Sequence, residues 1–506
     1  MRSPSTASRR SHLVLGEALG SRDARPALRA LLLVVAALAA AGRAYGEVAP
    51  SSFEDLHWRL VGPLRGGWAT CATGVSGSND TFYFGAADGG VWRSVDAGRT
   101  WQALFQHEAV SSVGALAIAP SDPKILYVGT GQPEPRWDIA SGNGVYGSTD
   151  GGESWTWLGL PESEHIGKIL VDPRDPRVVL VAALGHFFGP NDERGVYRSA
   201  DGGKTWQRVL FKDADTGAVD LARDEVNPDL VFAALWQARR YPWQGYHQPI
   251  VGPGSGIYRS RDGGRTWEHL TKGLPADATG RIGLAVGSGS GGKRVYAAVG
   301  GAKQSGIYRS DDGGDSWQRV NDDGSLGTYY FARLVADPKK TDTVWAMGQS
   351  LRRSDDGGKT FVFEHGAPGG DDHHDLWVDP AQPERRLIAS DQGAVVTLNG
   401  GQTWSSWYNQ PTGQFYHLET DNRFPYWIYS GQQDSGTVAI ASRSDYGQLT
   451  FRDWHPVGGQ ERDYDVPDPA DQDIVYGSGL GGAVTKWNAR TGHSEDVTPW
   501  PENNYG

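Results

Sequence analysis

The sequence predicts an all-β protein built as a β-propeller of four-stranded antiparallel blades. Three observations carry this prediction: an eight-residue motif that recurs seven times, a four-strand rhythm within each period, and a composition of 70 Gly, 28 Pro, 20 Trp and 20 Tyr in 506 residues. Such a composition is typical of short strands joined by tight turns and packed through aromatic side chains. No sustained helical periodicity follows residue 50.

The recurring octad has the form "SADGGKTW", and its copies follow one another at intervals of 43 to 61 residues, which indicates a propeller or a solenoid. We interpret the octad as the turn between the third and fourth strands of a blade. Its Asp accepts backbone N–H groups, its Gly residues permit positive φ, and its aromatic residue packs between neighbouring blades. The seven structural positions are Asp96, Asp150, Asp201, Asp262, Asp312, Asp356 and Asn399.

The period at residues 280–320 shows the strand order best, with "RIGLAV", "KRVYAAV", "SGIYRS" and "SWQRV" as strands A to D. Two further periods, from Phe415 and from Arg462, keep the rhythm of strands A to C but lack the octad. No closing fourth strand is evident before the chain ends. We therefore expect about nine blades, either as one ring of nine or ten or as a seven-bladed ring plus part of a second.

The N-terminal segment differs from the rest of the chain. Residues 1–46 hold seven Arg, and an apolar run at 31–41 is followed by small residues, as in a cleaved secretory signal. A membrane anchor is the alternative, although the apolar run is too short to span a bilayer. We expect residues 1–46 to be a signal peptide, 53–410 to form blades 1–7, and 411–506 to form additional, truncated blades of a secreted or periplasmic protein.

Charge and cysteine content exclude several classes of partner and site. Without residues 1–46, 41 basic residues stand against 58 acidic ones, a net charge of −17 that repels nucleic acid and anionic lipid. Cys71 is the only cysteine, so neither an internal disulfide nor a thiolate metal cluster can form.

The octads resemble the Asp-box, the repeat of sialidases, sortilin-type receptors and xyloglucan-hydrolase-like tandem propellers. Over residues 53–506 the chain is similar to bacterial secreted proteins with sortilin N-terminal-like repeats, in "WRLVGPLRGGWAT", "FYFGAADGGVWRSVDAGRTW", "DDHHDLWVDP" and "DVTPWPENNYG". This resemblance implies the fold but not the activity, because one fold carries many functions. The early Arg motif of sialidases is missing, which argues against sialidase activity.

Three long loops between strands B and C, in blades 2, 3 and 4, are the candidate binding surface. They fall on one face of the predicted propeller and are rich in aromatic and Arg side chains, which suit a sugar or a peptide. The candidate ligand-binding residues are Trp137, Phe187, Phe188, Trp236, Arg239, Arg240, Tyr241, Trp243 and Tyr246. No complete catalytic set is evident, so the sequence favours a non-enzymatic propeller that binds a peptide, a protein or a glycan; an envelope assembly scaffold is also compatible.

The enzymatic alternative is an inverting glycoside hydrolase that uses Asp88 and Asp434. Both residues follow a predicted strand B and therefore face the channel mouth. Asp88 is similar in setting to the aspartate that xyloglucan-type hydrolases place in their first blade, and Asp434 resembles the second carboxylate position more loosely. Asp391 has the same blade position, so all three are also compatible with ordinary turn residues.

The stretch "DDHHD" at residues 371–375 is the remaining candidate site. His373 and His374 are adjacent, so on a strand they point to opposite faces and cannot act together on one metal ion. A polar cluster that lines the channel at the start of blade 7 is therefore expected rather than a metal site. The sequence predicts no cofactor.

Overall fold

The structure is a computed structural model that describes residues 49–499 except 58, 245–247, 249, 277–278, 288, 302, 329, 368–369 and 463. The chain divides into two compact units, residues 1–60 and 61–506. In the described part of the first unit, a single 3₁₀ turn spans Pro50–Phe53. The predicted signal peptide at residues 1–46 lies outside the described residues.

The described residues of the second unit form nine antiparallel sheets, named blades 1 to 9 in chain order. Blade 1 has β1 (Ala69–Gly74), β2 (Phe82–Ala86), β3 (Gly90–Ser94) and β4 (Gln102–Ala103). Blade 2 has β5 (Val113–Ala119), β6 (Asp122–Thr130), β7 (Val145–Ser148) and β8 (Thr156–Gly159). Blade 3 has β9 (Ile166–Asp172), β10 (Asp175–Ala183), β11 (Gly195–Ser199) and β12 (Gln207–Leu210). Blade 4 has β13 (Thr216–Arg223), β14 (Val231–Gln237), β15 (Gly256–Ser260) and β16 (Glu268–Leu270).

Blades 5 to 9 repeat this order. Blade 5 has β17 (Thr279–Val286), β18 (Val295–Gly301), β19 (Gly306–Ser310) and β20 (Gln318–Asn321), and blade 6 has β21 (Leu334–Ala336), β22 (Val344–Ala346), β23 (Leu351–Ser354) and β24 (Val362–His365). Blade 7 has β25 (His373–Val378), β26 (Arg386–Ser390) and β27 (Gly393–Thr397), and blade 8 has β28 (Glu419–Thr420), β29 (Trp427–Gln432), β30 (Gly436–Ala441) and β31 (Trp454–His455). Blade 9 has β32 (Asp465–Pro467), β33 (Ile474–Ser478), β34 (Val484–Asn488) and β35 (His493–Asp496). Short 3₁₀ turns span Pro161–Ser163, Gly324–Leu326 and Leu480–Gly482.

The predicted all-β propeller fold is confirmed, with two differences in strand number. Blade 7 has three strands rather than four, because the chain after its third strand follows that strand through isolated contacts, such as the bond from Ser405 N to Val396 O at 2.8 Å. Blade 9 has a fourth strand at His493–Asp496, which the sequence did not reveal. That strand is short and exposed, so it has no apolar alternation to mark it.

The first strands of blades 1 to 7 contact one another in a closed cycle, since β1 contacts both β5 and β25. Phe82 and Phe84 of blade 1 are buried in one cluster with Leu387 and Val396 of blade 7. In blades 8 and 9 the first strands, β28 and β32, contact each other. Of the two arrangements that the sequence left open, these contacts match a ring of seven followed by further blades.

The innermost strands approach one another very closely in the centre of this ring. A Cβ atom added at Gly283 on β17 would lie 1.3 Å from the carbonyl oxygen of Ala332, just before β21. A side chain at this position would push the two blades apart. Glycine here is therefore a packing requirement of the inner wall.

The octads form the predicted turns between the third and fourth strands. In the copy at 199–206, Asp201 Oδ1 accepts the N–H of Thr205 at 2.9 Å, and Asp201 Oδ2 accepts its hydroxyl at 2.6 Å. The Ser199 hydroxyl accepts the N–H of Gly203 at 2.8 Å and donates to Asp201. The bonds from Thr205 and Ser199 hold the pKa of Asp201 at about 2. This part of the turn therefore contributes stability above about pH 4 and loses it as the pH falls toward 2.

The aromatic residue of the octad ties neighbouring blades together. Trp155 in blade 2 donates its Nε1–H to Leu104 O of blade 1 at 2.9 Å, and Trp206 in blade 3 donates to Leu158 O of blade 2 at 2.8 Å. The Trp155 ring also packs edge-on against Phe105, with ring centroids 5.3 Å apart. The predicted packing of these residues between blades is thus confirmed for both copies.

Replacement of an octad Asp should cost stability through the turn. We expect Asp262→Ala to lower the free energy of unfolding by about 1 kcal/mol, because Thr266 and Arg265 lose their acceptor. Asp262→Asn is the matched control, since Asn399 makes the equivalent bonds to Thr403. Chemical denaturation of both variants checks this, and equal losses in the two would contradict it.

Candidate functional site

Charged side chains fill the centre of the ring in pairs. Arg333 contacts Asp375 of β25 at 3.1 Å, and Arg281 of β17 contacts Glu134 at 3.2 Å, with all four side chains almost completely buried. Burial alone would raise the pKa of Asp375, but the Arg333 charge outweighs it, so the pKa of Asp375 is lowered. These pairs belong to the inner wall, and the ligand-accessible space lies at the mouth of the channel.

Three carboxyl groups converge at this mouth: Asp391 after β26, Asp434 after β29, and Asp372 before β25. The Asp391 side chain is 3% exposed and lies 2.5 Å from His374 Nε2. Its carboxyl group is also hydrogen-bonded to that of Asp434. Asp434 and Asp372 adopt left-handed backbone conformations, with φ of 53° and 49°. Such conformations are uncommon for residues other than glycine and cluster at functional sites.

The three carboxyl groups are held in an environment that favours their neutral forms. Burial and the contact with Asp391 raise the pKa of Asp434 to about 7. Burial raises the pKa of Asp372 to about 6 and that of Asp391 well above its usual value. Perturbed values of this kind are typical of sites that move protons.

The carboxyl groups of Asp391 and Asp434 line a pocket of about 380 Å³, here called the dyad pocket. Its wall combines acidic, basic and apolar side chains from blades 2, 6, 7 and 8 and from the connections near them. The lining residues are Arg136, Ser325, Leu326, Thr328, Tyr330, Phe331, Met347, Gly348, Gln349, Ser350, Arg352, Asp372, Asp391, Gln433, Asp434 and Arg462.

Asp88 lies in an adjoining pocket of about 460 Å³, here called the Asp88 pocket. Arg136 and Gln433 line both pockets. Gln414 donates to Asp88 Oδ2 at 3.3 Å, and its carbonyl oxygen accepts the N–H of Gln433 at 2.9 Å. Although Asp88 is exposed to solvent, the surrounding pocket wall raises the pKa of its carboxyl. The two acids proposed from sequence thus lie on the same face, in neighbouring pockets.

The aromatic loop residues predicted to form one binding surface are divided by the structure. Trp137, Phe188 and Trp243 are 42%, 45% and 79% exposed, whereas Phe187 and Trp236 are buried in the core. A buried ring cannot meet a ligand at this surface, so the core positions are a correction to the predicted set.

The exposed rings form two stacked pairs. Trp137 stacks on Phe188 with ring centroids 6.3 Å apart, and Tyr241 stacks on Trp243 at 5.0 Å. Arg239 and Arg240 each pack a guanidinium group against one ring of these pairs. Arg240 is buried with its guanidinium over Trp137, and Arg239 lies over Tyr241 and pairs with Asp215. Arg240 therefore also acts through packing rather than ligand contact, while Tyr246 lies outside the described residues.

The side chains of "DDHHD" have separate partners, as their alternation on β25 predicts. His373 contacts His365 at 2.9 Å, His374 contacts Asp391, and Asp375 pairs with Arg333. Within the described residues, no group of three or more His, Cys, Asp or Glu side chains is arranged to hold a metal ion.

The sequence placed Asp372 and His374 in the polar cluster expected at residues 371–375, but it joined neither of them, nor Asp391, to Asp434. Asp391 was compatible with a turn residue, and its equivalence in blade position to Asp434 was the available signal. No sequence signal showed that His374 meets Asp391, because only the fold brings the two side chains together.

Comparison with known proteins agrees with this architecture. Residues 89–229 match the family model described as sortilin, neurotensin receptor 3. A xyloglucanase of Paenibacillus sp. is 28% identical over 261 residues, which are 47% of this chain and 24% of that protein. Xyloglucanase Xgh74A of Acetivibrio thermocellus is 28% identical over 254 residues, 46% of this chain and 29% of that protein. The chain thus matches only about a quarter of the length of these relatives.

Solved structures show the same fold at low identity. The GH74 enzyme of Niastella koreensis superposes with a TM-score of 0.59 at 15% identity, over 87% of this chain and 67% of the other. The GH74 xyloglucanase of Xanthomonas campestris gives 0.57 at 16% identity, over 88% and 76%. Fold and matches together define a sortilin-like β-propeller. More particularly, the chain is related to the tandem propellers of xyloglucanases. None of the described residues forms a helix long and apolar enough to cross a membrane.

The channel ion pairs should be far more important for stability than exposed pairs. We expect Asp375→Ala to cost about 3–5 kcal/mol, because it leaves Arg333 buried without its partner. Glu153→Ala, which breaks the exposed pair with Arg93, should cost at most about 1 kcal/mol. Denaturant titration measures both, and similar losses would contradict this assignment.

Proposed function

We propose that this protein is a glycoside hydrolase that cleaves a β-glucan such as xyloglucan at the channel mouth. The observation that carries the proposal is Asp434, a carboxyl with a pKa of about 7 in the dyad pocket, beside the pocket that holds Asp88. The xyloglucanase relatives support the same activity. They favour catalysis more than the sequence analysis did, which placed binding first.

The proposed reaction is inverting hydrolysis. Asp434 protonates the glycosidic oxygen, and the Asp88 carboxylate takes a proton from the water that attacks the anomeric carbon. Inverting enzymes need the two carboxyl groups about 6.5–9.5 Å apart to leave room for this water. Asp391 touches Asp434 and leaves no such room, whereas Asp88 lies in a separate pocket.

The charge of the protein supports a neutral polysaccharide as the substrate. The body carries a large negative charge, which repels acidic polymers. Exposed aromatic rings such as Trp137 and Trp243 offer flat apolar faces to sugar rings. The signal-like pattern at residues 1–46 supports an extracellular or periplasmic location, where such a polymer is found.

Hydrolysis of xyloglucan oligosaccharides tests the proposal. We expect the wild-type protein to release products of inverted anomeric configuration, detected by NMR. Asp434→Asn and Asp88→Asn should each lower kcat by about 100-fold or more, the usual contribution of a general acid or base. Asp262→Asn, in an octad turn, is the control. Wild-type rates in either active-site variant would refute the assignment.

Glycan binding through the loop face is a second candidate function, favoured by the exposed stacked pairs. We expect Trp137→Ala and Trp243→Ala to weaken binding of β-glucan oligosaccharides by about tenfold and to raise KM rather than lower kcat. Phe363→Ala, at an equally exposed aromatic residue of blade 6, should leave affinity unchanged. Isothermal titration calorimetry measures the affinities, and equal affinities in all three variants would exclude this face.

A further inference from the structure

We propose that His374 is a positioning residue that holds the Asp391 carboxyl against Asp434, so that Asp434 keeps the proton it delivers to the leaving group. This inference rests on the proposed glycosidase activity and extends it to two residues, His374 and Asp391, that act through Asp434.

The position of His374 is fixed from several sides. It lies on β25, next to β26, the strand that leads into Asp391, and its Nε2 is 2.5 Å from Asp391 Oδ1. The ring packs against Trp68 at 4.9 Å and against Phe331 at 5.6 Å between centroids. A buried ring in this position has almost no freedom to rotate, and so Asp391 cannot turn away from Asp434.

His374 acts as a neutral hydrogen-bond partner. Burial lowers its pKa to about 4, so the imidazole carries no charge at pH 7. We assign the ring hydrogen to Nε2, from which the ring donates to the carboxyl oxygen of Asp391. A charged partner would instead favour the ionised form of Asp391, as Arg333 does for Asp375.

Asp391 and Asp434 form a hydrogen-bonded carboxyl pair, and such a bond requires a proton on one of them. The pKa values of both are raised, and because the groups touch, these values belong to the pair, which retains at least one proton at neutral pH. Asp434 is itself held by Gln433 Nε2, 2.7 Å from Oδ2, and by Glu461 Oε2, which accepts its backbone N–H at 2.6 Å.

The groups around the pair act on it in both directions. Asp371 and Asp372 of blade 7 raise the pKa of Asp391, whereas the contact with Glu461, from the segment between blades 8 and 9, lowers the pKa of Asp434. Arg136, from the long loop of blade 2, faces Asp391, while Arg352 and Arg462 line the same pocket and Arg462 pairs with Glu461 at 3.3 Å. Burial is the largest cause of the raised pKa of both Asp391 and Asp434 and outweighs these cations, which makes the loss of the last proton costly.

The proton balance of the reaction leaves both supporting residues unchanged. Asp434 gives its proton to the glycosidic oxygen as the C–O bond breaks, and the water oxygen bonds to the anomeric carbon as its proton passes to Asp88. Afterwards Asp88 releases a proton to solvent and Asp434 regains one. Asp391 and His374 begin and end the cycle in the same state.

The test is the pH profile of xyloglucan hydrolysis by the full chain. In the wild type we expect kcat to fall above about pH 7, as Asp434 loses its proton. This fall in kcat is the alkaline limb of the pH profile. In Asp391→Asn and His374→Leu the pH of the alkaline limb should be lower by one unit or more, with KM unchanged. His374→Gln keeps an N–H donor, so its alkaline limb should lie at the wild-type pH. His373→Leu, at the adjacent residue that contacts His365 instead, should leave the limb in place.

Thermal denaturation gives a readout that needs no activity. Raised pKa values stabilise the folded protein fully below about pH 4, and this stability is lost as the pH rises through about 7. The fall in Tm between pH 4.5 and pH 8 should therefore be smaller in Asp391→Asn than in the wild type or His373→Leu.

The outcomes separate the two proposals. If the wild type is active but kcat falls at the same pH in Asp391→Asn and His374→Leu, the positioning role is overturned. The hydrolase proposal is then still supported. An inactive wild type overturns the hydrolase and the catalytic role. In that case the Tm comparison still decides whether the pair retains its proton, and an unchanged pH dependence of Tm would overturn that as well.

Discussion

Phe82 and Phe84 of the first blade pack against Leu387 and Val396 of the seventh, and this contact joins parts of the chain that are some 300 residues apart. Each blade has two apolar faces that must be buried, and a closed ring satisfies this without leaving an exposed face. Closure also directs the ends of the second strands toward one mouth. Asp88 and Asp391 follow second strands of this ring, and Asp434, after the second strand of blade 8, meets Asp391, so the packing of the blades determines where the candidate site forms.

The mouth and the centre of the ring hold the same residue types in opposite electrostatic situations. Asp375 and Asp391 are both buried in blade 7, but Asp375 faces Arg333, whereas Asp391 faces a neutral imidazole and a second carboxyl. The first therefore stays ionised and stabilises the inner wall. The second belongs to a pair that retains a proton. The partner, rather than burial, decides the role of each carboxyl.

Repetition explains how such a site can arise on a regular scaffold. The octad turns lie between the third and fourth strands of successive blades and differ little, because each must make the same turn hydrogen bonds. The loops after the second strands carry no such constraint and vary in length and chemistry. In blades 1, 7 and 8 they supply carboxyl groups, and in blades 2 to 4 they supply aromatic and Arg side chains. Stability and the proposed chemistry thus use different turns of the same repeat.

The sequence by itself determined the all-β propeller, the order of four short strands within a blade and the structural role of the octads, because turn chemistry and strand alternation are local. It also marked Asp88 and Asp434 through their equivalent places in the repeat. Only the tertiary structure decided that seven blades close a ring, that Phe187, Trp236 and Arg240 are buried, and that His374 and Asp391 stand behind Asp434. These features depend on contacts between distant segments, such as the one between Gln414 and Asp88, 326 positions apart. Local patterns carry no information on which side chains will meet across a ring.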